Sequence, residues 1–328
     1  MSAIGSVLAT RVLQGDRRAL ARAITLVESQ RDADRQSSIE LLDALTPHAG
    51  GAIRVGISGV PGAGKSTFIE ALGGHIINQG HRVAVLAVDP SSAVSGGSIL
   101  GDKTRMESLS RNPAAYIRPS PTSGTLGGVT RRTRESMIIC EAAGFDVVLV
   151  ETVGVGQSET AVADMTDMLV LLLLPSAGDE LQGIKRGIVE LADMVLVNKA
   201  DGELKNAAQR ATGDYRNALR LLRARDPDWE VPVETCSALT GEGIGDAWTL
   251  IGRFRKQHME SGLLQARRRS QALAWLRAET AERLMSLISK HSASNDLKDQ
   301  LENEVAAGKM LPSVAAEQLV VAFLKEAK

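Results

Sequence analysis

Eight consecutive residues, Gly59 to Ser66, have the spacing G-x-x-x-x-G-K-S of a phosphate-binding loop. Glycines in such a loop let main-chain N–H groups surround phosphate oxygens at the start of a helix. We expect Lys65 to reach the β- and γ-phosphates of a nucleotide and the Ser66 hydroxyl to bind Mg²⁺. An apolar run, Ile53–Ser58, precedes the loop and a helical pattern follows it, as this motif requires. The predicted phosphate-binding residues are Gly59, Pro61, Gly62, Ala63, Gly64, Lys65, Ser66 and Thr67.

A second motif, Asn198-Lys199-Ala200-Asp201, follows another apolar run and has the form N-K-x-D of a guanine-binding segment. The Asp201 carboxylate can accept hydrogen bonds from both N1–H and the exocyclic amine of guanine. Adenine has no matching pair of donors, so it would leave buried polar groups unpaired. A further apolar run leads into Ser237, Ala238 and Leu239, where GTPases place main chain against the base. These features together predict GTP rather than ATP.

Acidic residues end two further apolar runs. Val147–Glu151 ends in Glu151, where Ras-like proteins have Asp, and Gly154 stands where a main-chain N–H would face the γ-phosphate. Arg82–Val88 is followed by Asp89, for which a helix cap or turn is the alternative role. We favour metal or water positioning, because acids that end neighbouring strands would converge on one Mg²⁺. Asp102 closes a loop rich in Gly and Ser, which predicts a mobile switch.

Composition excludes several classes of protein. The 328 residues carry a formal charge of -1 and only 3% aromatic residues, which argues against a dedicated nucleic-acid binder. The longest apolar run, Met168–Leu174, is far shorter than the ~20 residues of a membrane-spanning helix. Two cysteines cannot form a disulfide framework, which favours a reducing compartment. We therefore expect a cytoplasmic protein that binds neither nucleic acid nor membrane.

The elements that must position these motifs follow from apolar runs that alternate with helical patterns. This arrangement predicts an α/β fold of the P-loop NTPase type, with a mainly parallel sheet covered by helices on both faces. We predict a helical N-terminal extension over residues 1–46, a nucleotide-binding domain over 47–255 and a helical arm over 256–328. The arm is predicted as helices Gln257–Lys290, Asn295–Ala307 and Leu311–Lys328. The predicted strands are Ile53–Ser58, Arg82–Val88, Ala115–Arg118, Val147–Glu151, Met168–Leu174, Met194–Asn198 and Val233–Ser237.

Three features together resemble the MeaB/ArgK family of GTPases: the segment Asp-Pro-Ser-Ser from Asp89, the segment Glu-Thr-Val-Gly-Val-Gly-Gln-Ser from Glu151, and the flanking helical extensions. Members of this family are G-protein chaperones of adenosylcobalamin-dependent methylmalonyl-CoA mutase. The resemblance covers essentially the whole chain. It implies a homodimer formed through the C-terminal arm, slow GTP hydrolysis, and coupling of hydrolysis to cofactor loading and protection of the mutase.

The same resemblance implies roles for further residues. Asp89, Asp102 and Glu151 match the family's acids linked to Mg²⁺ and to the switches. The loop from Pro175 to Lys185 matches a third switch that carries the signal to the mutase, with Asp179, Gln182 and Lys185 as its coupling residues. From the residues alone, this loop is an ordinary strand-to-helix connection with a solvated lysine. The expected cofactor is Mg²⁺ with GTP or GDP as ligand, and we expect no tightly bound cobalamin on this chain.

Two other functions compete with this hypothesis. One is a metallochaperone GTPase that delivers nickel to an enzyme, against which the shortage of Cys/His clusters counts. The other is an ATP-dependent kinase linked to amino-acid transport, against which the segment Asn198–Asp201 counts. Slow intrinsic hydrolysis is expected in any case, because Val155 occupies the position at which Ras-like proteins place the glutamine that orients water.

Overall fold

The apolar runs form seven parallel strands of one sheet in the part of the chain that the computed structural model describes, residues 3–88, 106–119, 126–152, 158–175, 186–220, 226, 228–290 and 292–326. The strands are β1 (Ile53–Gly59), β2 (Val83–Val88), β3 (Ala115–Arg118), β4 (Val147–Thr152), β5 (Met168–Leu173), β6 (Met194–Val197) and β7 (Val233–Thr235). Their order in the sheet is β3-β2-β4-β1-β5-β6-β7. The predicted α/β fold with a parallel sheet is confirmed, and no strand end differs from its predicted position by more than two residues.

Helices connect the strands and extend the chain at both ends. The N-terminal helices are α1 (Ala3–Leu13), α2 (Arg17–Glu28) and α3 (Asp32–Leu45). Those between strands are α4 (Lys65–Asn78), α5 (Glu107–Arg111), α6 (Leu126–Ala142), α7 (Ser158–Ala163), α8 (Arg186–Leu191) and α9 (Lys205–Arg220). After β7 come α10 (Ile244–Glu260), α11 (Leu263–Lys290), α12 (Ser292–Ala306) and α13 (Pro312–Glu326).

The prediction of one continuous helix over Gln257–Lys290 is wrong. Helix α10 ends at Glu260 and α11 begins at Leu263. Gly262 between them has φ 76°, a left-handed conformation that glycine adopts without a steric penalty. The apolar spacing alone does not show this break, because it continues across the junction.

The strands are apolar on both sides because helices cover both faces of the sheet. Successive residues of a strand point to opposite faces, and in β2 both sets are buried. On one face, Val83 and Val85 share a core with Phe68 of α4 and Ile251 of α10. On the opposite face, further strand residues share a core with α6 and the N-terminal helices, and its members include Ala84, Leu86, Val88, Leu20, Ile24, Leu41, Met137 and Cys140.

The chain divides into two compact units, Met1–Arg268 and Arg269–Lys328. The first contains the sheet and also helices α1 to α3, whose apolar faces are part of its core. The second contains the rest of α11 with α12 and α13, and it buries Ile288, Leu301 and Ala315. Several large apolar side chains of this second unit are more than two-fifths exposed, namely Leu273, Leu276, Leu284, Met285, Leu287, Leu311, Val314, Val320 and Leu324.

Two arginines in the first turns of α11 pair with buried carboxylates at the amino ends of the central strands. Arg268 makes two hydrogen bonds to the fully buried Asp167, of 2.7 and 2.6 Å. Arg267 makes two to Asp193, of 3.0 and 2.9 Å. The Asp167 carboxylate also accepts the main-chain N–H of Arg54 at 2.8 Å. These pairs fasten the start of α11 to the strands β1, β5 and β6.

Among the described residues, no helix is both long enough and apolar enough to cross a membrane.

Candidate nucleotide-binding site

The phosphate-binding loop lies at the carboxyl end of β1, in the middle of the sheet. Gly62 and Gly64 adopt left-handed conformations, with φ of 80° and 86°. Gly64 is the residue before α4, and a side chain there would bring its Cβ within 2.7 Å of the Asn198 amide nitrogen. The loop therefore requires glycine at Gly64 for two reasons, its backbone angle and the close approach of a side chain from β6.

Lys65 is the first residue of α4, and its ammonium group lies across the loop. It donates to the main-chain oxygen of Gly59 at 2.8 Å and approaches that of Val60 at 3.4 Å. Burial lowers the pKa of Lys65, and the negative charges of Glu151 and Glu159 oppose that shift. The ammonium is held by carbonyl oxygens and nearby carboxylates, in a position from which it can contact phosphate groups.

Ser66 and Glu151 are brought together as a pair. The Ser66 hydroxyl donates to the Glu151 carboxylate at 2.9 Å, and Glu151 is buried at the carboxyl end of β4. Next to Glu151, the Thr152 hydroxyl donates to that of Ser58 at 3.2 Å, which ties the ends of β4 and β1.

The donor set of Ser66 and Glu151 fits Mg²⁺. Both groups supply oxygen, and Mg²⁺ in nucleotide sites uses one or two protein oxygens together with phosphate oxygens and water. The described residues contain no group of three or more His, Cys, Asp and Glu side chains that could hold a metal by themselves. A Mg²⁺ ion bound by Ser66 and Glu151 would take further oxygen ligands from phosphates and water.

Asn198 connects the phosphate-binding loop to the segments predicted to bind guanine. Its side-chain N–H donates to the Ala63 carbonyl oxygen at 2.7 Å, and its side-chain oxygen accepts the Ala238 N–H at 3.0 Å. The Cys236 thiol also approaches that oxygen, at 3.6 Å. Asn198 is 1% exposed, so these bonds replace the water that the amide loses on burial.

Asp201 is oriented by a hydroxyl from the following strand-to-helix loop. The Ser237 hydroxyl donates to one Asp201 carboxylate oxygen at 2.6 Å and accepts the Thr240 N–H at 3.2 Å. Ser237 is fully buried, whereas Asp201 is partly exposed. The aspartate therefore has a fixed rotamer and an accessible edge, which suits a carboxylate that receives two parallel donors from a base.

Two other predicted base-contacting residues lie at the rim. Lys199 is exposed and has φ 61°, which is unusual for a residue with a side chain. Leu239 is 80% exposed. They adjoin Asn198 and Ala238 in the chain, and their contact with a base stays a prediction.

The structure thus gathers the predicted residues of the described segments at one edge of the sheet. Pro61, Gly62 and Thr67 are exposed in or next to the phosphate-binding loop, and Ala63 is buried beneath it. The other predicted metal, catalytic and coupling residues lie outside the described residues, namely Asp89, Asp102, Gly154, Asp179, Gln182 and Lys185.

Several residues around this site belong to none of the motifs in the sequence. Glu159 influences Lys65 from the first turn of α7. The other residues make hydrogen bonds around the site, namely Ser58 with Thr152, Thr240 with Ser237, and Cys236 with Asn198. Burial raises the pKa of the Cys236 thiol to about 12, as expected for a structural and unreactive cysteine. Among these residues, only Glu159 has a position in the sequence that could have indicated a role, because it directly follows the motif that begins at Glu151.

Comparison with known proteins shows that a family model described as methylmalonyl Co-A mutase-associated GTPase MeaB matches residues 20–293. A probable GTPase of Mycobacterium tuberculosis is 54% identical over 95% of this chain and 93% of its own length. The mitochondrial methylmalonic aciduria type A homolog of Mus musculus is 49% identical over 96% of this chain and 79% of its own. A crystal structure of a LAO/AO transport system kinase matches with TM-score 0.78 and 39% identity, over 99% of each chain.

Proposed function

The chain belongs to the family of methylmalonyl-CoA mutase-associated GTPases, and on that premise we propose that it acts as a GTP-hydrolysing chaperone of an adenosylcobalamin-dependent methylmalonyl-CoA mutase. In this proposal, GTP binding and hydrolysis gate the loading of the cofactor and protect the mutase from inactivation. GTPase activity itself follows from the family and the P-loop NTPase fold.

One observation carries the assignment of the nucleotide. A hydrogen-bonded path runs from Ala63 in the phosphate-binding loop through Asn198 to Ala238, beside the carboxylate of Asp201. The buried side chain of Asn198 thereby sets the distance between the phosphate-binding loop and the segment proposed to bind the base. Asp201, held by Ser237, offers the acceptor pair that guanine matches and adenine does not.

Each residue of the phosphate end has a distinct task in this proposal. Main-chain N–H groups of the loop bind phosphate oxygens at the start of α4. Lys65 balances negative charge on the β- and γ-phosphates, and Ser66 with Glu151 holds the Mg²⁺ side of the site. Mg²⁺ supplies charge neutralisation on the phosphates. Asp89, Asp102 and Gly154 are proposed to complete this side of the site from segments beyond the described residues.

The experiment that tests the nucleotide compares GTP, ATP and XTP binding in wild type and Asp201→Asn. The amide supplies a donor that suits the additional carbonyl of xanthine and opposes the guanine amine. GTP affinity should fall by about tenfold or more, a change of about 1.4 kcal/mol per decade, while XTP affinity rises. Asp214→Asn, an exposed residue of α9, is the matched control. Unchanged GTP binding in the variant would remove Asp201 from the base site, and equal binding of ATP and GTP by wild type would favour the transport-linked kinase named among the similar structures.

The proposed client is tested by its effect on turnover. A third switch, with Asp179, Gln182 and Lys185, is proposed to transmit mutase binding to the site, on the strength of the family resemblance. Saturating methylmalonyl-CoA mutase should raise the GTP turnover of wild type, and Lys185→Ala should lose most of that gain while its basal turnover is retained. Lys256→Ala, an exposed lysine of α10, should behave as wild type. If the wild-type protein does not bind the mutase and its GTP turnover does not change in the presence of the mutase, the proposal that the mutase is its client is wrong.

A homodimer through the C-terminal arm belongs to the same proposal. Leu273, Leu276, Leu284 and Leu287 recur at helical spacing on α11 and are all more than two-fifths exposed. Burying such side chains against a second copy is worth roughly 25 cal/mol per Å² of apolar surface. Leu276→Glu combined with Leu284→Glu should convert a dimer to a monomer in sedimentation equilibrium, and a wild type that is monomeric at all concentrations would rule the dimer out.

We place the protein in the cytoplasm. Cys140 and Cys236 are both free and buried, which is consistent with a reducing compartment.

A further inference from the structure

Strands β1 and β4 are joined differently at their carboxyl ends than along the rest of their length. Main-chain pairing holds them in register as far as Ile57 and Glu151. The next residues of the two strands, Ser58 and Thr152, are joined through their hydroxyls at 3.2 Å. Beyond Ile57 and Glu151, β1 continues in register with β5, and β4 with β2. The hydroxyl bond therefore lies where β1 and β4 separate, directly before the phosphate-binding loop.

Both hydroxyls are buried among apolar residues. Ser58 is 1% exposed and Thr152 is 0% exposed. In the sheet, Ser58 lies beside Leu171 of β5, and Thr152 lies beside Val88 of β2. Because successive residues of a strand point to opposite faces, the Thr152 hydroxyl faces away from the Glu151 carboxylate. Two apolar side chains of similar shape could replace such a pair at little cost in stability, so packing alone does not require hydroxyls here.

The hydroxyl bond closes a ring of contacts around the phosphate end of the site. Lys65 and Ser66 are consecutive residues of α4, and each donates to the end of a different strand. Lys65 donates to the main-chain oxygen of Gly59 after β1 lies buried, at 2.8 Å, and Ser66 donates to Glu151 of β4 at 2.9 Å. The hydroxyl pair joins the two residues that are next to these acceptors in the chain. It thereby fixes the distance between the end of β1 and the Glu151 carboxylate.

We propose that the hydroxyl pair of Ser58 and Thr152 positions Glu151 for Mg²⁺ beside Ser66. The two hydroxyls act through Glu151, so they are positioning residues and not metal ligands. This inference rests on the proposed function, in which Ser66 and Glu151 hold the Mg²⁺ side of the site. Loss of the pair should lower the affinity for Mg²⁺ and leave the binding of metal-free nucleotide unchanged, because the phosphate-binding loop and Asn198 keep their own contacts.

The test measures Mg²⁺ dependence in the full chain. Calorimetry gives the Mg²⁺ concentration that half-saturates the complex with GDP, and a turnover assay gives the concentration for half-maximal GTP hydrolysis. Thr152→Val keeps the shape of the side chain and removes the hydroxyl, so it should raise both concentrations about three- to tenfold, the effect of one lost hydrogen bond. Its affinity for GDP in a chelator should equal that of wild type. Thr152→Ser keeps the hydroxyl and should restore wild-type behaviour.

A double variant separates positioning from damage to the core. Thr152→Val leaves the Ser58 hydroxyl buried without its present partner, whereas Ser58→Ala combined with Thr152→Val removes both groups and should regain most of the lost thermal stability. Its Mg²⁺ affinity should stay as low as that of Thr152→Val, because the bond between the strand ends is missing in both. Thr212→Val removes a buried hydroxyl from α9 and is the matched control, which should bind Mg²⁺ like wild type.

The positioning role is wrong if Thr152→Val binds GDP and needs no more Mg²⁺ than wild type does. It is equally wrong if the double variant recovers the Mg²⁺ affinity of wild type, or if Thr212→Val loses as much. If Thr152→Val alone does not bind GDP and is therefore misfolded, the double variant decides. A wild type without any Mg²⁺ dependence would contradict the metal side of the proposed function as well, whereas a Mg²⁺-dependent wild type with an unaffected Thr152→Val contradicts the positioning role alone.

Discussion

The side-chain amide of Asn198 donates to the main-chain oxygen of Ala63 at 2.7 Å, although the two residues are 135 positions apart in the sequence. The bond joins the end of β6 to the phosphate-binding loop after β1, across the intervening strand β5. Both partners are buried, so water cannot replace either one without a rearrangement. The predicted base-binding and phosphate-binding segments are therefore mechanically connected.

Asn198→Ala should weaken both functions at once. The Ala63 oxygen and the Ala238 N–H would each lose a buried partner, which costs about 1–3 kcal/mol for each unsatisfied group. We expect a lower unfolding temperature and a loss of affinity for GTP and for GDP, measured by thermal denaturation and calorimetric titration. Asn217→Ala, an exposed residue of α9, is the control. A variant that binds GDP like wild type would show that the loop holds its shape without the bridge.

Ser66→Ala should separate metal-dependent from metal-independent binding. The hydroxyl contacts Glu151 and is placed to bind Mg²⁺, so its loss should reduce GTP affinity and hydrolysis in Mg²⁺ more than GDP affinity in a chelator. Binding measured with and without Mg²⁺ in both variants makes the comparison, with Ser110→Ala of α5 as the control for loss of an exposed hydroxyl. Equal losses in both conditions would mean that Ser66 only stabilises the start of α4.

Nucleotide affinity should fall as the pH rises into the alkaline range below 10.5, the ordinary pKa of lysine. Burial lowers the pKa of Lys65 in the free protein, and phosphate groups raise it again in the complex. Above the lowered pKa, binding must therefore take up a proton. Calorimetry in buffers of different ionisation enthalpy should detect that uptake in wild type and lose it in Lys65→Arg, whose charge does not titrate there. Absence of uptake in wild type would contradict the assignment.

The lowered pKa of Lys65 has the opposite effect on folding stability, which should rise with pH where nucleotide affinity falls. Between the lowered pKa and 10.5 the unfolded chain binds more protons at Lys65 than the folded chain does, so this group makes stability rise with pH.

Arg268→Ala should destabilise the first unit strongly. Asp167 is fully buried, and removal of one partner from a buried ion pair costs about 3–5 kcal/mol. Arg268 also donates to the main-chain oxygens of Gly50 and Ala52, both at 2.6 Å, and these bonds would be lost as well. Urea denaturation should show the loss, whereas the neighbouring and exposed Arg269→Ala should change stability little. Similar urea midpoints for Arg268→Ala and Arg269→Ala would show that the Asp167 carboxylate finds another partner.

The sequence by itself determined what depends on neighbours in the chain. The spacing from Gly59 to Ser66 places a loop between a strand and a helix, and continuous apolar runs require strands that are buried on both faces. The order of the motifs, with a guanine-type segment after a phosphate-binding loop, predicted the nucleotide class. The break between α10 and α11 was missed, because one left-handed glycine interrupts a helix without changing the apolar pattern around it.

The tertiary structure decided which distant residues meet. Strand order places β4 and β1 side by side, so Glu151 reaches Ser66, and it places the ends of β6 and β7 together, so Ser237 reaches Asp201. Asn198 finds Ala63, and Arg268 finds Asp167, for the same reason. Periodicity reports the face on which a side chain lies but not its partner, because the partner depends on how strands with similar apolar patterns are ordered in the sheet.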